Sequence, residues 1–548
     1  MWILVGILLV SAALNLWGIR WGLPALWYPD EPETIEEIVI PMARNLDPNP
    51  HIFHKPSLYY YIIEFFLLPF FLYLKAFRVA ITSYPDFVAA VTLVARIVTA
   101  LSGVAGVYLI YYLGRLIRGT TTGLVAAFLL ASNLGWAGTA HFAYMDVPML
   151  VMLLASLCAL DIYLKTAQTR YLFWGSLLSG LAISTKFNAA VFVGVALVVA
   201  HLMRATRETK SNPLWLARIK TLFSGKLFAS AGMVILGFLA GTPFALLDHK
   251  TFGSYFVKQL FITKGYKVFE TAPSWGQNAV YLRTALGWPL FVLALVSVIW
   301  LSVRSFKKAR WMDVVILVAP VLYFIYVGSW RITAFRYVLP VVPFLILCTS
   351  MAFEDALSRL RSWRIPLAAV LILMAGYTTV MTCQSIRWFG SDTRETATQW
   401  MEKYVRKEAQ VEVYAYLAYL PRFPNGLQVN RLALDFIPES EQYELYRQGQ
   451  TTETDSRVET KNSPDLFTRE ALLERDPDYI VLSSFYFERY IQTDKYPALR
   501  DYFRELIGGG SGYREVFRVQ NPQMQAFYVN PAIVILKKEG ESGSAGGL

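Results

Sequence analysis

The sequence predicts an all-α, polytopic membrane domain followed by a soluble α/β or α+β domain. Three observations carry this expectation. Of 548 residues, 55% are hydrophobic and only 17% charged, and mean hydropathy is +0.40. Apolar runs of about 20 residues, enough to cross a ~30 Å hydrocarbon core, recur as far as residue 385. Beyond that point the runs shorten, and charges and turn residues appear. Aromatic residues, which favour the two interfacial belts of a bilayer, make up 15% of the chain.

The elements follow in order. Spans are expected near 2–19, 95–113, 121–139, 147–164, 170–185, 187–203, 227–247, 280–303, 313–328, 335–352 and 365–383, or about eleven transmembrane helices. The first has neither a basic leading region nor a small-x-small cleavage site, so it is expected to be a retained helix. The run LYYYIIEFFLLPFFLYL (58–74) carries Glu64 and Pro69 and is ambiguous between a span and an interfacial element. Basic residues decide the reading. With 58–74 outside the span count and the N-terminus cytoplasmic, Arg115, Arg118, Lys165, Arg170, the cluster from Arg204 to Lys226, and the groups at 304–310 and 359–364 all face the cytoplasm, as positive-inside topology requires. A crossing at 58–74 would reverse most of that bias. The opposite loop at 248–280 does carry four lysines.

The expected domains are therefore a membrane domain over 1–385 with an outer juxtamembrane loop at 20–94, a soluble outer-side domain over 386–538, and a flexible tail over 539–548. In the soluble part VEVYAYLAYL (411–420), YIVLSSFYF (479–487), YREVFRV (513–519) and PAIVILKK (531–538) read as strands. TRETATQWMEKYVR (393–406) and PDLFTREALLER (464–475) read as helices, and the acidic, polar stretch 438–464 as a loop or disordered.

The net charge of +11 sits in short loops between apolar runs, so it reads as topogenic and gives no support for a nucleic-acid partner. Cys158, Cys348 and Cys383 lie in or at the end of apolar runs, with neither a disulfide framework nor a CxxC metal pattern. No phosphate-binding P-loop is present.

Four constellations can carry chemistry, and each has a plainer reading beside it. In YPDEPETIEE (28–37), Asp30 and Glu31 follow the first apolar run; Asp30 with Glu33 resembles a capping box, with Pro32 suited to a first helical position. The functional reading makes Asp30 a general base, since a carboxylate in hydrogen-bond reach of an acceptor hydroxyl raises its nucleophilicity. In HFAYMDVP (141–148), Asp146 is either an N-cap or a second catalytic carboxylate, with His141 structural or in support. In NPHIFHKPSLYYYI (49–62), Lys55 is either an interfacial snorkelling residue or a phosphate ligand, with His54 and Tyr59 lining the same route. His51 and His54 fit no standard metal-ligand spacing, and a divalent metal is left open as a cofactor. Finally, Lys186 sits between two apolar runs and needs an anionic partner, Asp146 or a phosphate. Arg331 and Arg336 flank another run, as outer-side anchors or as phosphate forks.

With PDEP, PHIFHKPSLYYY, ARIVTALSGVAGVYLIYYLGRLIRG (95–119), HFAYMDVP, GLAISTKFNA (180–189) and FRYVLPVVPF (335–344) in this order, the chain resembles the GT-C-type glycosyltransferases that use polyprenyl-phosphate sugars. The resembling branch contains protein O-mannosyltransferases and lipid A aminoarabinose transferases. The resemblance covers roughly residues 1–350. It implies a multi-span helical domain with juxtamembrane helices in the first outer loop. It also implies transfer of a sugar from a polyprenyl-phosphate donor to an acceptor hydroxyl, with inversion, the acceptor being protein, lipid or glycan. Asp30 matches the family's catalytic carboxylate and Lys55 a first-loop lysine of the aminoarabinose branch. There the lysine precedes two prolines, whereas here Pro56 is followed by Ser57. The C-terminal region is not the β-trefoil insertion of eukaryotic mannosyltransferases.

The expected site is thus catalytic Asp30, Glu31 and Asp146 with substrate-binding Lys55, His54, Tyr59, His141, Lys186, Arg331 and Arg336, in a multi-pass membrane protein with its active site on the extracytoplasmic side. The alternatives are a transporter or flippase of lipid-linked sugars, which would favour repeat symmetry and broken midplane helices, and a non-catalytic scaffold.

Overall fold

A computed structural model describes residues 1–77, 81, 83–208, 224–262, 273–307, 311–432, 458–461, 464–494 and 496–539. The chain forms two compact units. The first comprises Met1–Arg20, Asp30–Lys264 and Pro273–Ile386; the second comprises Trp21–Pro29, Gly265–Ala272 and Arg387–Leu548.

Helices build the first unit. They are α1 (Trp2–Leu16), a π-helix (Glu33–Val39), α2 (Ile40–Asn45), α3 (Leu58–Ala76), α4 (Tyr84–Ile117), α5 (Thr120–Ala131), α6 (Leu134–Thr139), α7 (Asp146–Thr166), α8 (Thr169–Thr185) and α9 (Ala189–Glu208). Then come α10 (Gly225–Gly241), α11 (Phe244–Leu247), α12 (His249–Ile262), α13 (Trp275–Leu286), α14 (Trp288–Lys307), α15 (Trp311–Gly328), α16 (Val342–Arg359) and α17 (Arg364–Arg387). Among the described residues six helical stretches are long and apolar enough to cross a bilayer, Leu58–Ala76 among them, and five shorter apolar helices accompany them. All eleven expected spans are helical. The run at 121–139 breaks at Ser132–Asn133, where the Asn133 side chain caps α6 through the Trp136 N–H. The run at 280–303 breaks at Gly287, whose φ of 72° a side chain would resist.

Helix contacts follow residue size. Gly180 of α8 and Gly237 of α10 face each other so closely that a Cβ on Gly180 would lie 2.9 Å from the Gly237 Cα. Small residues let two backbones meet where lipid offers no hydrophobic drive for association. Among the basic residues read as topogenic, Arg118 pairs with buried Asp313 at 3.0 Å, Lys165 with buried Asp161 at 2.6 Å, and Arg304 with Asp355.

The second unit is a six-stranded sheet with helices. Its strands are β1 (Gln410–Tyr414), β2 (Gln428–Leu432), β3 (Val458–Lys461), β4 (Tyr479–Ser483), β5 (Tyr513–Val519) and β6 (Ile533–Lys538). Their order is β3-β2-β1-β4-β6-β5, parallel from β3 to β4 and antiparallel across β6 and β5. Its helices are α18 (Thr393–Tyr404), α19 (Arg469–Arg475), α20 (Ser484–Ile491) and α21 (Pro497–Gly508). The α/β expectation holds, with corrections. The run 411–420 is a strand only to Tyr414, and 479–487 turns from strand to helix at Ser484. At Ser484 the chain bonds to Ala532 through its N–H, donating to the carbonyl at 2.9 Å, and through its hydroxyl, accepting the Ala532 N–H at 2.8 Å. Much of 438–464 lies outside the described residues, but 458–461 pair as β3. The tail from 540 also lies outside them.

A buried hub ties Trp21–Pro29 into this unit. Asp392 accepts bonds from the Trp21 indole at 3.2 Å, the Asn530 N–H at 3.1 Å and the Arg394 guanidinium at 2.8 and 2.9 Å. Arg394 in turn donates to the carbonyls of Trp27, at 3.2 Å, Ala418 and Tyr528, and lies over the Trp21 and Trp27 rings. Both side chains are fully buried, and their partnership is what makes that tolerable.

Candidate active site

The centre of the site is a buried aromatic ring, Tyr144, in the loop between α6 and α7. Lys55 Nζ and the Arg336 guanidinium each lie 5.0 Å from its centroid, and Lys186 Nζ lies 5.3 Å away. Lys186 and Arg336 also face the Tyr337 ring, at 5.7 and 5.2 Å. Three cations around one ring would repel strongly if unpaired. Each has its own carboxylate: Lys55 with Glu33 at 3.0 Å, Lys186 with Asp146 at 2.7 Å, and Arg336 with Asp30 at 2.7 Å. The cluster is therefore neutral, three positive against three negative, and partly buried.

Separate elements deliver these groups. Asp30 precedes the π-helix, whose first residue, Glu33, turns toward Lys55 in the loop before α3; π-turns recur at functional sites. Asp146 is the first residue of α7, and Lys186 ends α8 in the short turn before α9. Arg336 comes from a 3₁₀ turn, Phe335–Tyr337, leading into α16. No side chain caps α7, and the Asp30 carbonyl accepts from the Thr34 hydroxyl at 3.0 Å and the Thr34 N–H at 3.3 Å. One oxygen of Asp146, Oδ2, is buried with no hydrogen-bond partner among the described residues.

Burial alone would depress the Lys55 pKa, but Glu33 and Asp30 outweigh it and hold it above the ordinary lysine value. At Lys186 burial wins against Asp146, and the pKa falls below that value. The Tyr144 hydroxyl is pushed well up, first by burial and then by Asp30.

The remaining expected residues are placed differently. Glu31 is completely buried in a two-pronged pair with Arg96 of α4, at 2.7 and 2.6 Å, and accepts the Ala143 N–H at 2.8 Å. It fastens the loop bearing Asp30 to the loop bearing Tyr144. Tyr59 is buried with its hydroxyl 2.7 Å from that of Thr99. His141 is buried, its nitrogens 2.7 and 2.8 Å from the Ala137 and Trp17 carbonyl oxygens, so it joins α6 to the end of α1. His54 packs edge-on against Tyr255 with Nδ1 3.5 Å from the Gln259 amide, and burial lowers its pKa. Arg331 is exposed and makes no ion pair among the described residues. No group of three or more His, Cys, Asp or Glu gathers as metal ligands among the described residues.

Comparison with known proteins agrees with this architecture. A family profile described as dolichyl-phosphate-mannose-protein mannosyltransferase matches residues 58–224. ArnT from Cupriavidus metallidurans, solved bound to undecaprenyl phosphate, superposes over 97% of both chains with a TM-score of 0.53 at 16% identity. The chain has the GT-C glycosyltransferase fold. The archaeal oligosaccharyltransferase AglB from Archaeoglobus fulgidus, solved with an inhibitory peptide and a dolichol-phosphate, shares it: TM-score 0.51, 14% identity, 95% of this chain and 73% of that one. No curated protein matches by sequence.

Within the GT-C fold, sequence reasoning missed Arg96, Tyr144 and the Glu33–Lys55 pair. Arg96 carried a usable signal, being a lone arginine in a long apolar run, which must find a partner. Tyr144 carried none, since a tyrosine beside a span is ordinary.

Proposed function

We propose that this chain transfers a sugar from a polyprenyl-phosphate donor to an acceptor hydroxyl, with inversion, at the extracytoplasmic face of a membrane. The observation that carries the reading is the convergence of Lys55, Lys186 and Arg336 on Tyr144 with three carboxylates interleaved. A donor phosphodiester brings one negative charge. It competes with Asp30 for Arg336, and its arrival frees Asp30 to act as base. The acceptor oxygen attacks the anomeric carbon, the bond from that carbon to the phosphate oxygen breaks, and the acceptor proton passes to Asp30.

The leaving polyprenyl phosphate gains a second negative charge as the bond breaks. Three fixed cations hold it more tightly than they hold the donor, and that difference lowers the barrier. Glu31, through Arg96 and the Ala143 N–H, positions the loop that carries Asp30. Asp146 keeps Lys186 oriented.

The test is Asp30→Asn in folded, purified protein supplied with a polyprenyl-phosphate sugar. Donor turnover should fall by roughly 100-fold or more, the usual worth of a general base. Undiminished turnover would remove Asp30 from that role. Turnover in detergent, without two compartments, separates an enzyme from a flippase.

A further inference from the structure

The second unit holds a cavity of about 490 Å³, lined by Phe485, Tyr528, Gln492, Gln525, Glu488 and Asp494, with Arg489 at its wall. Its place in the sheet is informative. Chain order runs from β1 outward to β2 and β3, then returns to β4 on the other side of β1. The carboxyl ends of β1 and β4 therefore border the switch point where open α/β sheets take their ligands. Tyr419, after β1, and Phe485, after β4, meet there at 5.7 Å.

The lining has a definite chemistry. Tyr528 stacks on Tyr419 at 6.3 Å and 11°, with Phe485 edge-on to it at 6.0 Å, so the cavity has an aromatic wall. Arg489 is fixed against Tyr419, donating to its hydroxyl at 2.7 Å. The Gln525 amide nitrogen is held by the carbonyls of Asn521 and Asn530, each at 3.3 Å. The turn presenting Gln525 and Tyr528 is strained: Met524, Tyr528 and Asn530 all have positive φ, at 64°, 59° and 59°. Non-glycine residues in that region are uncommon and cluster where a site dictates the backbone. Phosphate is a poor fit. The turn after β4 contains no glycine, and Glu488 and Asp494 would repel an anion.

We infer that this cavity binds a neutral saccharide, with the aromatic wall taking the apolar face of a sugar ring and planar amides, carboxylates and Arg489 taking its hydroxyls. The inference does not rest on the transferase reading. The test uses the full chain in lipid nanodiscs, because glycoside detergents would compete. Methyl α-D-mannopyranoside, methyl β-D-glucopyranoside and methyl N-acetyl-β-D-glucosaminide serve as probes, read by saturation-transfer NMR.

At least one probe should bind saturably, with Kd of about 1 mM. Gln492→Ala and Gln525→Ala, at exposed rim positions, should each weaken it roughly ten-fold, and Gln492→Ala should do so without changing the unfolding temperature. Asp30→Asn should leave it unchanged. Absence of saturable binding by all three probes, indifference to both glutamine variants, or loss of binding in Asp30→Asn would each overturn the assignment.

Discussion

Removing Arg96 should unfasten the proposed site without touching any residue that would meet substrate. Its guanidinium makes two bonds to Glu31 and a third to the Ile19 carbonyl at 2.8 Å, and both ions are wholly buried. Arg96→Met leaves the Glu31 carboxylate buried with the Ala143 N–H, a situation that costs roughly 3–5 kcal/mol. Glu31→Gln strands the arginine charge instead and should cost a similar amount. The double variant Glu31→Leu, Arg96→Met replaces the pair with apolar volume. Because buried pairs seldom outperform packed hydrophobes, it should regain more than half of the loss. Unfolding in detergent measures all three. Transfer activity should stay low even in the double variant, since the link from the Asp30 loop to Ala143 is gone. Single variants within about 1 kcal/mol of the parent, or a double variant as unstable as the summed singles, would refute the reasoning.

Three further outcomes are expected. Tyr144→Ala should cut transfer by about ten-fold or more while Tyr144→Phe keeps most of it, since desolvated cation–π contacts are worth up to ~2 kcal/mol each; steady-state turnover distinguishes them. Donor-phosphate affinity should fall on the alkaline side below the ordinary lysine value of 10.5, because Lys186 loses its proton there whereas Lys55 does not. Lys186→Arg should move that limb upward and Lys55→Arg should not, as a pH series of donor binding would show. Gly180→Val should force α8 from α10 and destabilise the first unit by about 1–3 kcal/mol or more, measured by thermal unfolding.

The helices were legible because a bilayer imposes length and apolarity on each, and both can be read from composition. Breaks inside those runs were not, because Asn133 and Gly287 act through local backbone geometry that hydropathy ignores. The soluble strands at 513–519 and 533–538 were visible as short runs rich in β-branched and aromatic residues. β2, short and polar in QVNRL, was not, since burial between two parallel neighbours decides it. At the candidate site, ionisable residues next to apolar runs singled out Asp30, Lys55, Asp146, Lys186 and Arg336. The sequence suggested Asp146 for Lys186, and the structure pairs them. Charge and hydropathy alone did not separate Glu31, spent on Arg96, from its neighbour Asp30; only the family resemblance singled out Asp30. Adjacent carboxylates share composition and differ only in what the fold brings against them.

Trp21–Pro29 is held by side chains encoded more than three hundred residues later, Asp392 and Arg394. During synthesis those partners become available only after most of the chain has emerged from the ribosome. A chain that stops short of residue 392 would carry every helix of the first unit before Trp21–Pro29 gains these bonds.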